Sequence, residues 1–173
     1  MSVLSKLLTQ EYYLGVIRLN NDCIFCKIAS KKTKSKLIWE SSDNLAFLTP
    51  FPNVAGFTVL ASKEHKSSDI FELSQNDLTK LILDAKEVSK LLKERLCVER
   101  VGLIFEGYGI DHAHIKLVPM HGIESGSWKQ ISSAPEDRKY YETYPGFIAS
   151  HDGPAMEDGL LSAVHRRIVG LDK

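Results

Sequence analysis

One apolar stripe limits the folds open to this chain more than any other feature. Leu78, Leu81, Ile82, Ala85, Val88, Leu92 and Leu96 recur at spacings of three and four, which puts them on one face of a helix about six turns long. Ser74 stands where it can cap that helix, and Asp77 adds negative charge to the first turn, where the helix dipole favours it. Strand-like runs lie on both sides: residues 37–40, 45–48 and 57–61 before it, 101–105 and 112–118 after it. Ser41-Ser42-Asp43-Asn44 supplies turn chemistry between the first two, a hairpin signal, and Gly107-Tyr108-Gly109 joins the last two. Pro50, Pro52, Asn53 and Gly56 break the chain before the third run. Strands, one long helix, then strands again predict an α+β fold: an antiparallel sheet with that helix packed on one face.

Composition removes whole classes of partner. Lys plus Arg equal Asp plus Glu at 22 each in 173 residues, so no global positive field draws the chain to nucleic acid or an anionic membrane. No apolar run approaches the roughly 20 residues that span a bilayer. Three cysteines, an odd number, argue against a disulfide framework and for a reducing, cytoplasmic setting. Residues 1–21 place Leu4, Leu7 and Leu8 beside Lys6, with Glu11 interrupting the apolar stretch, and predict a short helix or packed arm rather than a signal peptide. Lys31 to Lys36 (KKTKSK) reads as a solvated loop before a strand. After Pro119 the character changes. Residues 125–138 are polar, 140–154 are dense in Tyr, Pro, Gly and His, and Leu160, Leu161, Val164 and Ile168 mark a terminal helix. The expected organisation is an arm over 1–21, a domain over 22–123, and an extension over 124–173 that packs on the domain or a partner subunit.

The chemistry concentrates in Asp111-His112-Ala113-His114-Ile115-Lys116-Leu117-Val118-Pro119. Side chains alternate along a strand, so His112, His114, Lys116 and Val118 share one face, while Ala113, Ile115 and Leu117 turn toward the helix. Two imidazoles and an ammonium in a row suit an anion, phosphate above all, with histidine as nucleophile or acid/base and lysine as a point charge. Cys23-Ile24-Phe25-Cys26 is compatible with a zinc half-site, a redox pair or chance. No thioredoxin-like pattern surrounds it, and zinc would need two further ligands, for which His65 and His112 are candidates. Cys97, ending the helix, is expected to be a small packed residue. His121 follows the last strand and either reaches the rim of the same site or is an exposed loop residue, and Tyr108 and Asp111 flank the motif.

Cys23-Ile24-Phe25-Cys26-Lys27-Ile28, Leu45-Ala46-Phe47-Leu48, the stretch from Gly56 to His65, Glu106-Gly107 and His112-x-His114 before Pro119 together resemble the histidine-triad superfamily, in its zinc-bearing branches. The resemblance implies an antiparallel sheet flanked by helices, commonly paired into a homodimer, and a nucleotide or sugar-nucleotide hydrolase or nucleotidyl transferase acting at an α-phosphate. It implies His114 as the nucleophile that forms a covalent nucleotidyl-histidine, with His112 orienting it and Lys116 at the third triad position. It implies a structural zinc held by Cys23, Cys26, His65 and His112, while Phe47, Thr49, Lys116 and His121 are the expected substrate-binding residues. The chain also departs from the pattern. Lys116 replaces the third histidine, Phe57 another histidine, Thr49 the aspartate near the ribose, Phe105 an asparagine, and Gly109 a serine or threonine. Lysine can neutralise a phosphate but is a poor proton shuttle near neutral pH. The alternative expectation is therefore a non-catalytic protein of the same fold that binds a nucleotide or phosphorylated ligand.

Overall fold

The computed structural model describes residues 20, 22–123 and 126, together with 139–140, 154–155 and 157–160. The arm expected over 1–21 and the extension over 124–173, with its terminal helix, lie almost wholly outside these residues. The chain divides into two units, Met1–Ser127 and Trp128–Lys173, and the architecture below is that of the first.

In chain order the elements are helix α1 (Ile24–Ala29), strands β1 (Lys36–Glu40), β2 (Asn44–Leu48) and β3 (Thr58–Ser62), helix α2 (Gln75–Leu96), and strands β4 (Val101–Ile104) and β5 (His114–Pro119). A 3₁₀ turn at Ile70–Glu72 precedes α2. The five strands form one sheet in the order β1-β2-β3-β5-β4, every pair antiparallel. This is the α+β fold expected from the sequence.

Period-two alternation divides the core between the two faces of the sheet. Ala46, Leu60, Ile115 and Leu117 turn to one face, where Leu81, Ala85, Val88 and Leu92 of α2 cover them. Leu45, Phe47, Val59 and Ala61 turn to the other and pack with Cys23, Phe25 and Cys26 at α1. Because β2 and β3 are covered on both faces, they are buried almost throughout. The Ser41–Asn44 turn behaves as expected: the Ser41 hydroxyl accepts from the Asp43 and Asn44 backbone N–H groups, and β1 pairs with β2 around a bulge between Leu37 and Trp39. Before β3, Gly56 adopts φ +81°, and a Cβ there would lie 2.3 Å from the Leu96 side chain. The left-handed φ favours glycine there, and any side chain would also have to displace Leu96.

The start of α2 also follows expectation, with the Ser74 hydroxyl accepting from the Asp77 N–H at 3.1 Å. Three details differ. Ile82 belongs to the apolar stripe by spacing, yet it is 41% exposed, because residues 81, 85, 88 and 92 already fill the line facing the sheet. Cys97 is exposed rather than packed: it holds the left-handed position at the end of α2 (φ 52°) and its N–H caps the Lys93 carbonyl. The last strand begins at His114 instead of His112, since the His112 N–H closes a local turn onto the Ile110 carbonyl.

Candidate nucleotide site and metal cluster

Two adjoining constellations occupy the α1 face of the sheet. The first gathers side chains far apart in sequence. Cys23 precedes α1 and Cys26 lies in its first turn, so the C-x-x-C spacing turns both sulfurs the same way. His65 follows β3, and His112 precedes β5. His112 Nδ1 lies 3.3 Å from Cys23 Sγ, 3.5 Å from Cys26 Sγ and 3.3 Å from His65 Nδ1, and Cys26 Sγ lies 3.5 Å from His65 Nδ1. All four donor atoms fall within 4.8 Å of one another. Ligand atoms on a tetrahedral zinc, with bonds of roughly 2.0–2.3 Å, stand about 3.3–3.8 Å apart, so these four separations match such a site and the donor set is one that zinc takes.

Protonation favours the same use. His112 Nε2 donates to the Ser62 carbonyl at 2.7 Å; a carbonyl can only accept, so the proton sits on Nε2 and the Nδ1 lone pair faces the two sulfurs. Burial pushes the pKa of this ring down to about 4, against the Ser62 bond and with some help from His65, so the imidazole is neutral as a ligand must be. Burial also pushes the Cys26 thiol up, opposed by the Asn20 N–H and reinforced by Cys23. A dication reverses that preference and makes thiolates the stable form.

The second constellation is a cavity of about 910 Å³ over the same face, reached by His114, Lys116, Phe47 and Thr49. His114, only 5% exposed, donates from Nδ1 to the His112 carbonyl at 2.7 Å, which leaves Nε2 as the unprotonated nitrogen. Burial lowers its pKa, against that hydrogen bond and with the Lys116 charge adding to the fall. Lys116 is ion-paired with Glu106, whose side chain is 8% exposed. The Thr49 hydroxyl accepts from the Phe51 N–H. His121 stands apart from the others: it is exposed, bonds the Ala55 carbonyl through Nε2 at 3.0 Å, and is absent from the cavity wall. Asp111 holds the Ser68 N–H instead of facing the cavity, while Tyr108, Gly109 and Phe57 do line it.

Some participants escape a reading of the sequence. Phe25 makes edge contacts to His112 and His114, with ring centroids 5.6 and 5.2 Å apart, and so touches both constellations. Its place between the two cysteines was the available signal. Glu106 stands in the Glu-Gly pair, but its ion pair is visible only in space. Lys34 and Lys36, from the run expected to be a solvated loop, are exposed but line the cavity.

A five-stranded antiparallel sheet with one long helix on its back, His114 in a cavity wall and His112 beside it in a Cys/His cluster, is the arrangement expected of a histidine-triad-type protein. Comparison with known proteins agrees, although no family model matches the chain. A HIT-like protein of Mycoplasma pneumoniae is 30% identical over 107 residues, 59% of this chain and 74% of that protein. The adenosine 5′-monophosphoramidase of Schizosaccharomyces pombe is 28% identical over 122 residues, 68% of this chain and 90% of that protein. Among solved structures, a zinc-bound histidine triad family protein from Mycobacterium smegmatis superposes with a TM-score of 0.55 at 19% identity, over 65% of this chain and 84% of that one. The chain belongs to the HIT-like family, and its Cys₂His₂ cluster fits the zinc-bearing branch.

Proposed function

We propose that this protein is a nucleotide or sugar-nucleotide hydrolase, or a nucleotidyl transferase, acting at an α-phosphate through a covalent nucleotidyl-histidine at His114. One observation carries the reading. The His114 ring is held by its Nδ1 proton on the His112 carbonyl, so a neutral Nε2 lone pair is available at the cavity, as a nucleophile requires. The Nε2 pair forms a P–N bond while the bond from phosphorus to the leaving group breaks. Water, or another acceptor, then adds to phosphorus, the P–N pair returns to the ring, and a proton leaves to solvent. In this reading Lys116 is a point charge beside the phosphate, and Phe47 and Thr49 hold the nucleoside. The phosphoramidase activity named for the Schizosaccharomyces pombe relative supports chemistry at a nucleotide phosphorus.

Cys23, Cys26, His65 and His112 would hold a zinc ion, which in a four-ligand site is closed to water and serves to fix His112 beside the nucleophile. We propose further that the domain over 22–123 is the functional unit, that the protein works as a homodimer in the cytoplasm, and that 124–173 packs on the domain or its partner subunit. Among the described residues, no helix is long and apolar enough to cross a membrane.

The test is a panel of nucleotides and sugar nucleotides, including adenosine 5′-monophosphoramidate, assayed for turnover and for nucleotidyl adducts on the denatured protein by intact mass. His114→Ala should abolish the adduct and lower turnover by at least roughly 10³-fold. A variant that turns over normally would sink the covalent mechanism. The Lys116–Glu106 pair at the third triad position favours a second reading, a binding protein without turnover. Calorimetric binding of panel members that are never consumed would decide for it.

A further inference from the structure

The positive charge of the cavity is unevenly answered. Among the described residues three lysines line it, Lys34, Lys36 and Lys116, and no carboxylate does. Lys116 is paired with Glu106, whereas neither Lys34 nor Lys36 takes part in an ion pair among the described residues. The uncompensated charge therefore lies at the β1 end of the cavity, away from the nucleophile.

Sheet register gives the separation. Lys36 pairs with Leu48, Leu48 with Thr58, and Thr58 with Leu117, the neighbour of Lys116; this row turns to the α2 face, so Lys36 meets the cavity from the edge strand rather than from the sheet floor. Three strand spacings of about 4.8 Å put Lys36 roughly 14 Å from β5. Between the two ends the cavity wall is apolar, with Phe47 and Val59 from the sheet and Ile24, Phe25 and Ile28 from α1. A ligand that places phosphorus at His114 and lays a flat ring on that wall presents the ring's far edge to the two lysines.

We propose that Lys34 and Lys36 form a second anion subsite, and that the ligand is a nucleotide carrying an anionic substituent on the far edge of its base. The inference rests on the reading of His114 as the residue that meets the α-phosphate. Two lysines two residues apart repel each other, and an anion between them relieves that repulsion while adding two charge-assisted hydrogen bonds. The ring stacks on the apolar wall and orients the molecule, so the lysines select among nucleotides rather than merely attract them.

Calorimetry with two probes tests this: AMP, and succinyl-AMP, in which a dicarboxylate arm is attached to the exocyclic amino group of adenine. The native chain should bind succinyl-AMP more tightly than AMP by roughly tenfold, with the preference shrinking as salt is raised. Lys34→Ala/Lys36→Ala should erase the preference, and Lys34→Arg/Lys36→Arg should retain it. Both lysines are exposed, so neither pair of changes threatens the fold. If the native chain does not discriminate, or if the alanine variant still does, the subsite is overturned while AMP binding leaves the proposed function standing. Binding of neither probe would remove both.

Discussion

Lys116 occupies the position at which this chain parts from a histidine triad, and its neighbour Glu106 decides what the change can accomplish. A buried carboxylate needs a counter-charge, and Lys116, 30% exposed, supplies it. In the proposed function the ammonium is shared between Glu106 and the entering phosphate. Glu106→Gln should leave the lysine charge unanswered and tighten AMP binding by several-fold, read by calorimetry; weaker binding would instead mean that the pair acts as one unit in holding the ligand. The placing of His114 and Lys116 on one face was legible in sequence because alternation along a strand is a local rule, whereas His112 lies in the turn before β5 and faces Cys23 and Cys26. Glu106 and Phe25 were not legible, because an ion pair between two segments and a ring wedged between two imidazoles exist only after folding. Proximity in sequence to the motif does not give direction either: the His121 ring is exposed and turns to the Ala55 carbonyl, the loop alternative of the two readings open for it.

The long helix was the most readable element, since α2 buries a single face and its periodicity survives in the sequence. Helix α1 was invisible. Six residues are too few for a period of 3.6 to declare itself, and such a helix is sustained by packing rather than propensity. Both ends of α2 yield measurable consequences. At its start, burial pushes the Asp77 carboxyl up, but hydrogen bonds from Lys66 and Ser74 more than offset this and its pKa is lowered. A lowered carboxyl contributes stability that is present above its unfolded value near 3.9 and lost as pH falls through the folded value. Asp77→Asn should therefore cost about 0.5–1 kcal/mol at pH 7 and progressively less below about pH 4, measured by urea unfolding across pH. At its end, Cys97 holds a left-handed conformation that disfavours any side chain with a Cβ. Cys97→Gly should raise stability by about 1 kcal/mol, and a destabilised variant would show that the exposed thiol has a packing role.

On the scale of the whole molecule, the sheet carries two separate duties on its two faces. One is sealed by α2, and the other holds the cluster and the cavity side by side. Zinc removal tests how far the second depends on the metal. Protein purified without chelators should contain about one zinc per chain, and stripping it should lower Tm by at least about 5 °C in a domain of this size. Cys23→Ser should show the lower Tm without response to added zinc. Equal stability with and without metal would remove zinc from the account. The route by which the cluster is assembled follows from its sequence separations. Cys23 meets His112 across 89 residues and Cys26 meets it across 86, so the first two donors leave the ribosome long before the last exists. A nascent chain can offer a dithiol, and then a dithiol with one imidazole, but the fourth donor comes only with the segment that also carries His114. Completion of the Cys₂His₂ cluster and delivery of His114 are thus a single event in synthesis, and a chain truncated before that segment can have neither.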